Sequence, residues 1–212
     1  MLLSTLEAYF TERRDLFRGL AIERLETEWD AYPVLRLDLN SGNYSEGAGQ
    51  LNKKIIKFLS DYERIYDVPQ MGETLADRFG GLLQSVHDKT GKQVVFLVDE
   101  YDKPLIANVE QQKEDLQTQQ REILKASYGI VKTMDLCIRF AMFTGVSRFS
   151  HVSVFSDLNN LTDISLDRRF SVICGITDDE LHRNLDTGVA LLATLAVASE
   201  LQEIDYSGYG HD

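Results

Sequence analysis

The residues most able to do chemistry follow one apolar run. Val94, Val95, Phe96, Leu97 and Val98 are five consecutive apolar residues, and Asp99-Glu100-Tyr101-Asp102 comes directly after them. A continuous, mostly β-branched run of this length predicts a strand buried on both faces of a parallel sheet. A carboxylate leaving the end of such a strand is rigidly placed. Asp99 could hold Mg²⁺, commonly through a bound water. Glu100 could polarise a water for attack on a γ-phosphate. The alternative is a strand that simply reaches solvent with two hydrated carboxylates.

A second, mostly apolar segment, Ile138 to Phe143, leads to Thr144-Gly145. It predicts another strand of the buried type. Thr144 could orient the same water or touch the phosphate, or bond only to nearby backbone. Arg148 and the Arg168-Arg169 pair could bring positive charge to a phosphate, although exposed arginines are more often surface residues.

The elements that must position these groups are read from spacing. Leu2, Leu3, Leu6, Tyr9 and Phe10 form one face of a helix. Leu16, Leu20, Leu25 and Trp29 suggest a mostly helical continuation, broken near Gly19. Pro33 introduces VLRLDL, a short strand ending near Asp38. NSGNYSEGAG reads as a loop. Leu51, Ile55, Ile56 and Leu59 mark a helix, and so do Leu75, Phe79, Leu82, Leu83 and Val86. The glutamine-rich stretch at 109–122 reads as a solvated loop or helix start, and 121–135 as helix. Ile164-Leu166 reads as a short edge strand. Thr177-Asp178-Asp179-Glu180 is a helix-start signature before a final apolar helix. Strands alternating with helices give an α/β fold with a mainly parallel sheet. Ligands of such sheets bind at the carboxyl ends of the strands, where Asp38, Asp99, Glu100, Asp102 and Thr144 fall.

Composition bounds the function. The 212 residues carry 34 acidic and 22 basic side chains, a net charge of −12, which argues against binding nucleic acid by neutralising phosphates. Cys137 and Cys174 are isolated, with no CxxC and no neighbouring histidine pair. They form no zinc signature and no disulfide framework, and a cytoplasmic setting is expected. No apolar run reaches the length of a membrane span.

VVFLVDEYDKPL, then FTGVSRFSHVSVFSDLNNLTDISLD and CGITDDEL, resemble the AAA-ATPase-like family of bacterial P-loop proteins. LLSTLEAYF, LFRGL and YPVLRLDLN match the same family in the same order, so the resemblance covers nearly all of the chain. It implies a P-loop NTPase-like three-layer sandwich. Residues 1–176 would form a partial core and 177–212 the start of a helical lid. It implies Mg²⁺ and ATP as cofactors, Asp99 as the metal residue, and Asp99 and Asp102 among the cofactor-binding residues. Glu100 matches the Walker B catalytic carboxylate, Thr144 the polar residue of the sensor strand, and Arg148 is carried as a candidate catalytic charge. Members of the family often continue into a PD-(D/E)XK nuclease-like domain. The complete protein would then be a switch acting on that domain or on a protein partner.

The phosphate loop GxxxxGK[ST] is not found. Thr90-Gly91-Lys92-Gln93 precedes a strand and lacks the hydroxyl residue, while Gly42 to Gly47 is followed by Ala48-Gly49 where Lys-Ser should stand. Both read as flexible surface loops. By the resemblance the phosphate loop lies just before LLSTLEAYF. The chain is therefore expected to start after it and to lack the family's first strand. A gap beside the Asp99 strand and association through exposed strand edges are expected to follow. Each charge-assisted hydrogen bond contributes about 1.5–3 kcal/mol. Losing the lysine and several backbone donors removes on the order of 6–10 kcal/mol, against about 8 kcal/mol for micromolar binding. Weak or no ATP binding by this chain is the expectation, and a non-catalytic remnant or interaction module is the alternative. A nuclease site is not favoured, because Asp99, Glu100 and Lys103 follow a single strand. The four histidines are scattered and read as ordinary surface or core residues.

Overall fold

The computed structural model describes residues 2–108, 113–146, 161–170, 172 and 173. The chain divides into two compact units, Met1–Thr162 and Asp163–Asp212.

In the first unit the elements run α1 (Leu2–Phe10), α2 (Ile22–Leu25), β1 (Val34–Asp38), α3 (Ala48–Ile65), α4 (Leu75–Thr90), β2 (Val94–Asp99), α5 (Lys103–Ile106), α6 (Glu114–Thr133) and β3 (Ile138–Phe143). The three strands are parallel and lie in the order β1-β2-β3. The five-residue apolar run of β2 is fully buried because this strand is central. A gap was expected beside the Asp99 strand. Instead it has a neighbour on each side.

Strand periodicity divides the apolar residues between two faces. Leu35, Leu37, Val94, Phe96 and Val98 pack with buried residues of α3, α4 and α6. Val34, Val95 and Leu97 pack on the other face with Leu3, Leu6 and Phe10 of α1. The result is helix, sheet and helices in three layers, an α/β arrangement compatible with a P-loop-like sandwich.

Helix ends follow local chemistry. Thr74 and Asp77 form a capping box at the start of α4. Gly91 closes that helix at φ 66°, a left-handed conformation that costs glycine little. The outer edge of β1 is covered by Tyr62 of α3 and by Tyr66, which follows that helix. The Val34 N–H donates to the Tyr66 hydroxyl at 3.1 Å and the Arg36 N–H to the Tyr62 hydroxyl at 2.8 Å. Those donors are then not open to another strand.

Several expectations are corrected. Residues 14–29 hold only a short 3₁₀ turn, Arg14–Phe17, and the single turn α2. Leu16, Leu20 and Leu25 are exposed, while Phe17 is buried and packs on Trp29. Gly19, at φ 78°, ends the helical path before enough turns accumulate to offset nucleation. β3 is half-buried, not fully buried, since β2 is its one paired strand among the described residues. The glutamine-rich stretch does start a helix, with Glu114 and Asp115 favourably placed in its first turn. Gln120, however, is buried and not solvated. Its side-chain amide donates to the Tyr44 carbonyl at 2.8 Å and its carbonyl accepts from Asn108 at 2.8 Å.

In the second unit Ile164-Leu166 is a turn, not a strand. The Asp163 carboxylate accepts from the Ser165 N–H, and Asp167 accepts from the Arg169 N–H. Such side-chain turns compete with strand ladders. The helix start at 177–180 and the final apolar helix lie outside the described residues.

Two tyrosines, the half-buried Tyr9 and the buried Tyr44, give stability a testable alkaline limit. The Tyr9 hydroxyl donates to Glu26 at 2.5 Å. That bond, with burial, pushes the Tyr9 pKa up to about 12. Burial first, and then the Asp38 charge, raise Tyr44 to about 12 as well. Unfolded tyrosine titrates near pH ~10. The folded state therefore holds these protons more tightly, and the stability they contribute is complete below about pH 10 and lost as the pH rises towards about 12. Urea midpoints are expected to fall across that interval, and to fall less in Tyr44→Phe. Equal slopes in the two proteins would contradict this.

Candidate functional site

The site lies where the three parallel strands end. Val95, Leu97 and Asp99 alternate with Val94, Phe96 and Val98, so Asp99 belongs to the face that α1 covers. Register places Asp38 beside Asp99 and Arg36 beside Leu97. Thr144 follows β3 and continues its pairing, its N–H donating to the Val98 carbonyl at 2.9 Å. Its hydroxyl donates to Asp99 Oδ1 at 2.8 Å. Asp99 and Thr144, both singled out from the sequence, are thus brought into direct contact.

Glu100 takes φ 56°, an unusual conformation for a residue with a side chain. The backbone around it is fixed from both sides. The Leu39 N–H donates to the Asp99 carbonyl at 3.0 Å, and the Tyr101 N–H to the Thr144 carbonyl at 2.9 Å. The Lys103 N–H donates to the Glu100 carbonyl at 3.0 Å. Asp99 and Glu100 therefore leave the sheet in a defined turn.

Asp102 is placed differently from Asp99. It is fully buried, and the Val146 N–H donates to its two oxygens at 3.2 and 3.1 Å. Gly145 lies between these partners. A Cβ on it would fall 2.5 Å from a Tyr101 ring carbon and 2.7 Å from Asp102 Oδ1. The close approach of the two loops needs glycine there.

Among the described residues, the arginine that contacts Asp99 is Arg36, which no motif singles out. Arg36 Nη2 lies 3.4 Å from Asp99 Oδ2. Its Nη1 donates at 3.0 Å to Glu7 Oε2 and at 3.0 Å to Ser4 Oγ, both on α1. Burial alone would lower the guanidinium pKa, but Glu7 and Asp99 outweigh it and the pKa rises above the ordinary arginine value. The available signal was period two: in VLRLD a single arginine occupies the face that otherwise carries Val34. Ser4 and Glu7, three apart on a helix, supply the matching face.

Arg148 lies outside the described residues. Arg169 is in the second unit, where it is exposed and paired with Asp167 at 2.6 Å. Asp38 is exposed and accepts from the Asn40 N–H at 2.7 Å. His87 meets the Lys92 carbonyl through Nδ1 at 3.0 Å, and the other histidines lie outside the described residues. Cys137 is buried and free.

Neither glycine-bearing turn is a loose loop. Gly91 caps α4, and Lys92 pairs with Asp30 at 3.2 Å. The 42–47 loop wraps around Tyr44, which is buried and donates to the Leu39 carbonyl at 2.9 Å. Among the described residues no group of three or more His, Cys, Asp or Glu could enclose a metal ion, and no helix is long and apolar enough to cross a membrane.

In open α/β sheets of this kind, ligands bind at the carboxyl ends of the strands. Comparison with known proteins shows the family. Residues 1–155 match the AAA-ATPase-like family, described as "Predicted AAA-ATPase", and the chain belongs to that family. A protein of Azotobacter chroococcum mcd 1, described as "Uncharacterized protein in vnfD 5'region", is 38% identical over 184 residues. The match covers 85% of this chain and 34% of that relative, so the chain spans about a third of the relative's length. No solved structure matches the chain.

Proposed function

We propose that this chain carries the carboxylate side of an ATP-hydrolysing switch domain. The observation that supports it best is the contact between Asp99 and Thr144 at adjacent strand ends, with Glu100 directly after Asp99 in a turn at φ 56°. The donor set suits Mg²⁺, a hard cation that binds through one or two carboxylates and keeps several waters. Asp99 would hold it and Thr144 would fix the orientation of that carboxylate. The ion, when bound, supplies charge neutralisation at phosphate oxygens. Glu100 would accept a proton from a water. Asp102 acts behind the site, holding the Thr144–Val146 segment against the Asp99 turn.

The phosphate side does not fit equally well. A nucleotide needs a cradle of backbone N–H groups and a lysine, and the two glycine-bearing turns are occupied by local structure. The complete protein's activity, and a nuclease-like domain or other partner controlled by it, belong to the same proposal. A second reading, an interaction module that binds no nucleotide, is favoured by one observation: Thr144 and Arg36 already satisfy Asp99 within the protein.

Calorimetric titration with Mg·ATP separates the two. The chain is expected to bind no more tightly than about 1 mM, roughly −4 kcal/mol, with that residual heat lost in Asp99→Ala. Binding that Asp99→Ala leaves intact would contradict the assignment of Asp99. No binding by a folded chain at high nucleotide concentration would favour the interaction module.

A further inference from the structure

Arg36 is the one cation that the described structure places on Asp99. Its guanidinium is forked between two elements. One nitrogen faces Asp99 at the end of β2, and the other is held by Glu7 and Ser4 of α1. The two arms are unequal. The α1 arm is made of two bonds at 3.0 Å, whereas the Asp99 arm is a single contact at 3.4 Å. The side chain is about three-quarters buried, with 26% of it exposed. Its backbone is fixed as well, by the Tyr62 hydroxyl and by β1–β2 pairing. A group so held cannot leave the site altogether. It can exchange its weaker arm while keeping the stronger one.

From this we infer that Arg36 is a built-in counter-cation for Asp99, which a divalent cation must displace, and that the displaced guanidinium stays on Glu7 and Ser4 of α1. The inference rests on the reading of Asp99 as the metal residue and extends it to α1. An ion approaching Asp99 meets a carboxylate already neutralised by a guanidinium. Intrinsic affinity is lowered by the strength of that contact, and filling the site changes the charge that α1 faces. Arg36 is thus a positioning residue. It tunes the carboxylate and reports its state to the helix on that face of the sheet.

Mn²⁺ binding to the whole chain, followed by electron paramagnetic resonance, tests this directly. Arg36→Gln is expected to tighten Mn²⁺ binding about tenfold, while Arg36→Lys, which keeps the charge, stays near the wild type. Arg64→Gln removes an exposed charge on α3, with 77% of its side chain accessible, and should change little. A merely structural arginine would weaken binding when removed, not tighten it. Unchanged or weaker binding by folded Arg36→Gln overturns the inference, and so does equal tightening by Arg64→Gln. Wild-type binding abolished by Asp99→Asn, with no gain in Arg36→Gln, would sink the inference and leave the reading of Asp99 standing. Absence of Mn²⁺ binding in all of them would remove both. Should Arg36→Gln not fold, the guanidinium is followed in the wild type by nitrogen-15 NMR during a Mg²⁺ titration. Its Nε resonance is expected to shift with the binding isotherm, and no shift at saturation overturns the inference.

Discussion

Glu63→Ala is expected to remove about 3–5 kcal/mol of stability, much of what a domain of this size has. Glu63 on α3 and Arg78 on α4 are both 8% exposed. Their bond is bidentate: Nε donates to Oε1 at 2.7 Å and Nη2 to Oε2 at 2.6 Å. Ser60 accepts a further bond from Nη2 at 2.8 Å. The hydrogen bonds to Glu63, acting against burial, raise the Arg78 pKa above its ordinary value. Removing the carboxylate leaves the guanidinium charged, buried and without its main acceptor. The loss comes from that uncompensated charge and not from a large net value of the pair. The double variant Glu63→Leu/Arg78→Met should therefore recover most of the stability, because buried pairs can be replaced by apolar groups of similar volume at little cost. Urea denaturation of the two single variants and the double variant measures the cycle. A double variant as unstable as Glu63→Ala would show that the helix pair needs the ion pair itself.

The same pair shows what the sequence could and could not disclose. The apolar stripes of α3 and α4 are legible from three- and four-residue spacing, and most of their buried apolar residues are ones that spacing picks out, although Ile56 is exposed and Phe58 is buried. Glu63 and Arg78 sit among those stripes as charges, and only packing two helices together shows that they meet. The central strand was readable because a run such as VVFLV has few other uses in an α/β chain. Asp99 followed from the end of that run, and Thr144 from the end of the next. Arg36 was missed for a different reason. It lies in the middle of a strand, and its partners are 29 and 63 residues away in the chain. Leu16, Leu20 and Leu25 show the opposite failure. Their spacing fits a helix, but a left-handed Gly19 and a short path leave them in solvent. Spacing reports which residues could share a face, not whether anything covers that face.

Asp102 carries the second large expectation, and it bears on the site directly. The motif places Asp102 three residues after Asp99, and from sequence alone it stands as another cofactor-binding group. Its full burial and its hold on the Val146 N–H give it a different task. The Asp99 turn and the Thr144–Val146 segment meet through three links: Thr144 to Asp99, Tyr101 to Thr144, and Val146 to Asp102. Asp102→Ala breaks the last and leaves the Val146 N–H without its carboxylate acceptor. Hydrogen bonds to charged groups contribute about 1.5–3 kcal/mol, so a loss of about 2–3 kcal/mol is expected. The damage should be local. Amide exchange at Val146 is expected to speed up on the order of 100-fold, and at Tyr101 by less, while amides of α4 respond only to the global change. Asp102→Asn keeps an acceptor oxygen and should lose about 1 kcal/mol. Unchanged Val146 exchange in Asp102→Ala would refute the positioning role. A large drop in Mn²⁺ affinity in Asp102→Asn with stability intact would instead make Asp102 a ligand. The two roles differ because a ligand must face the ion, whereas a positioning carboxylate can act only through the backbone it holds.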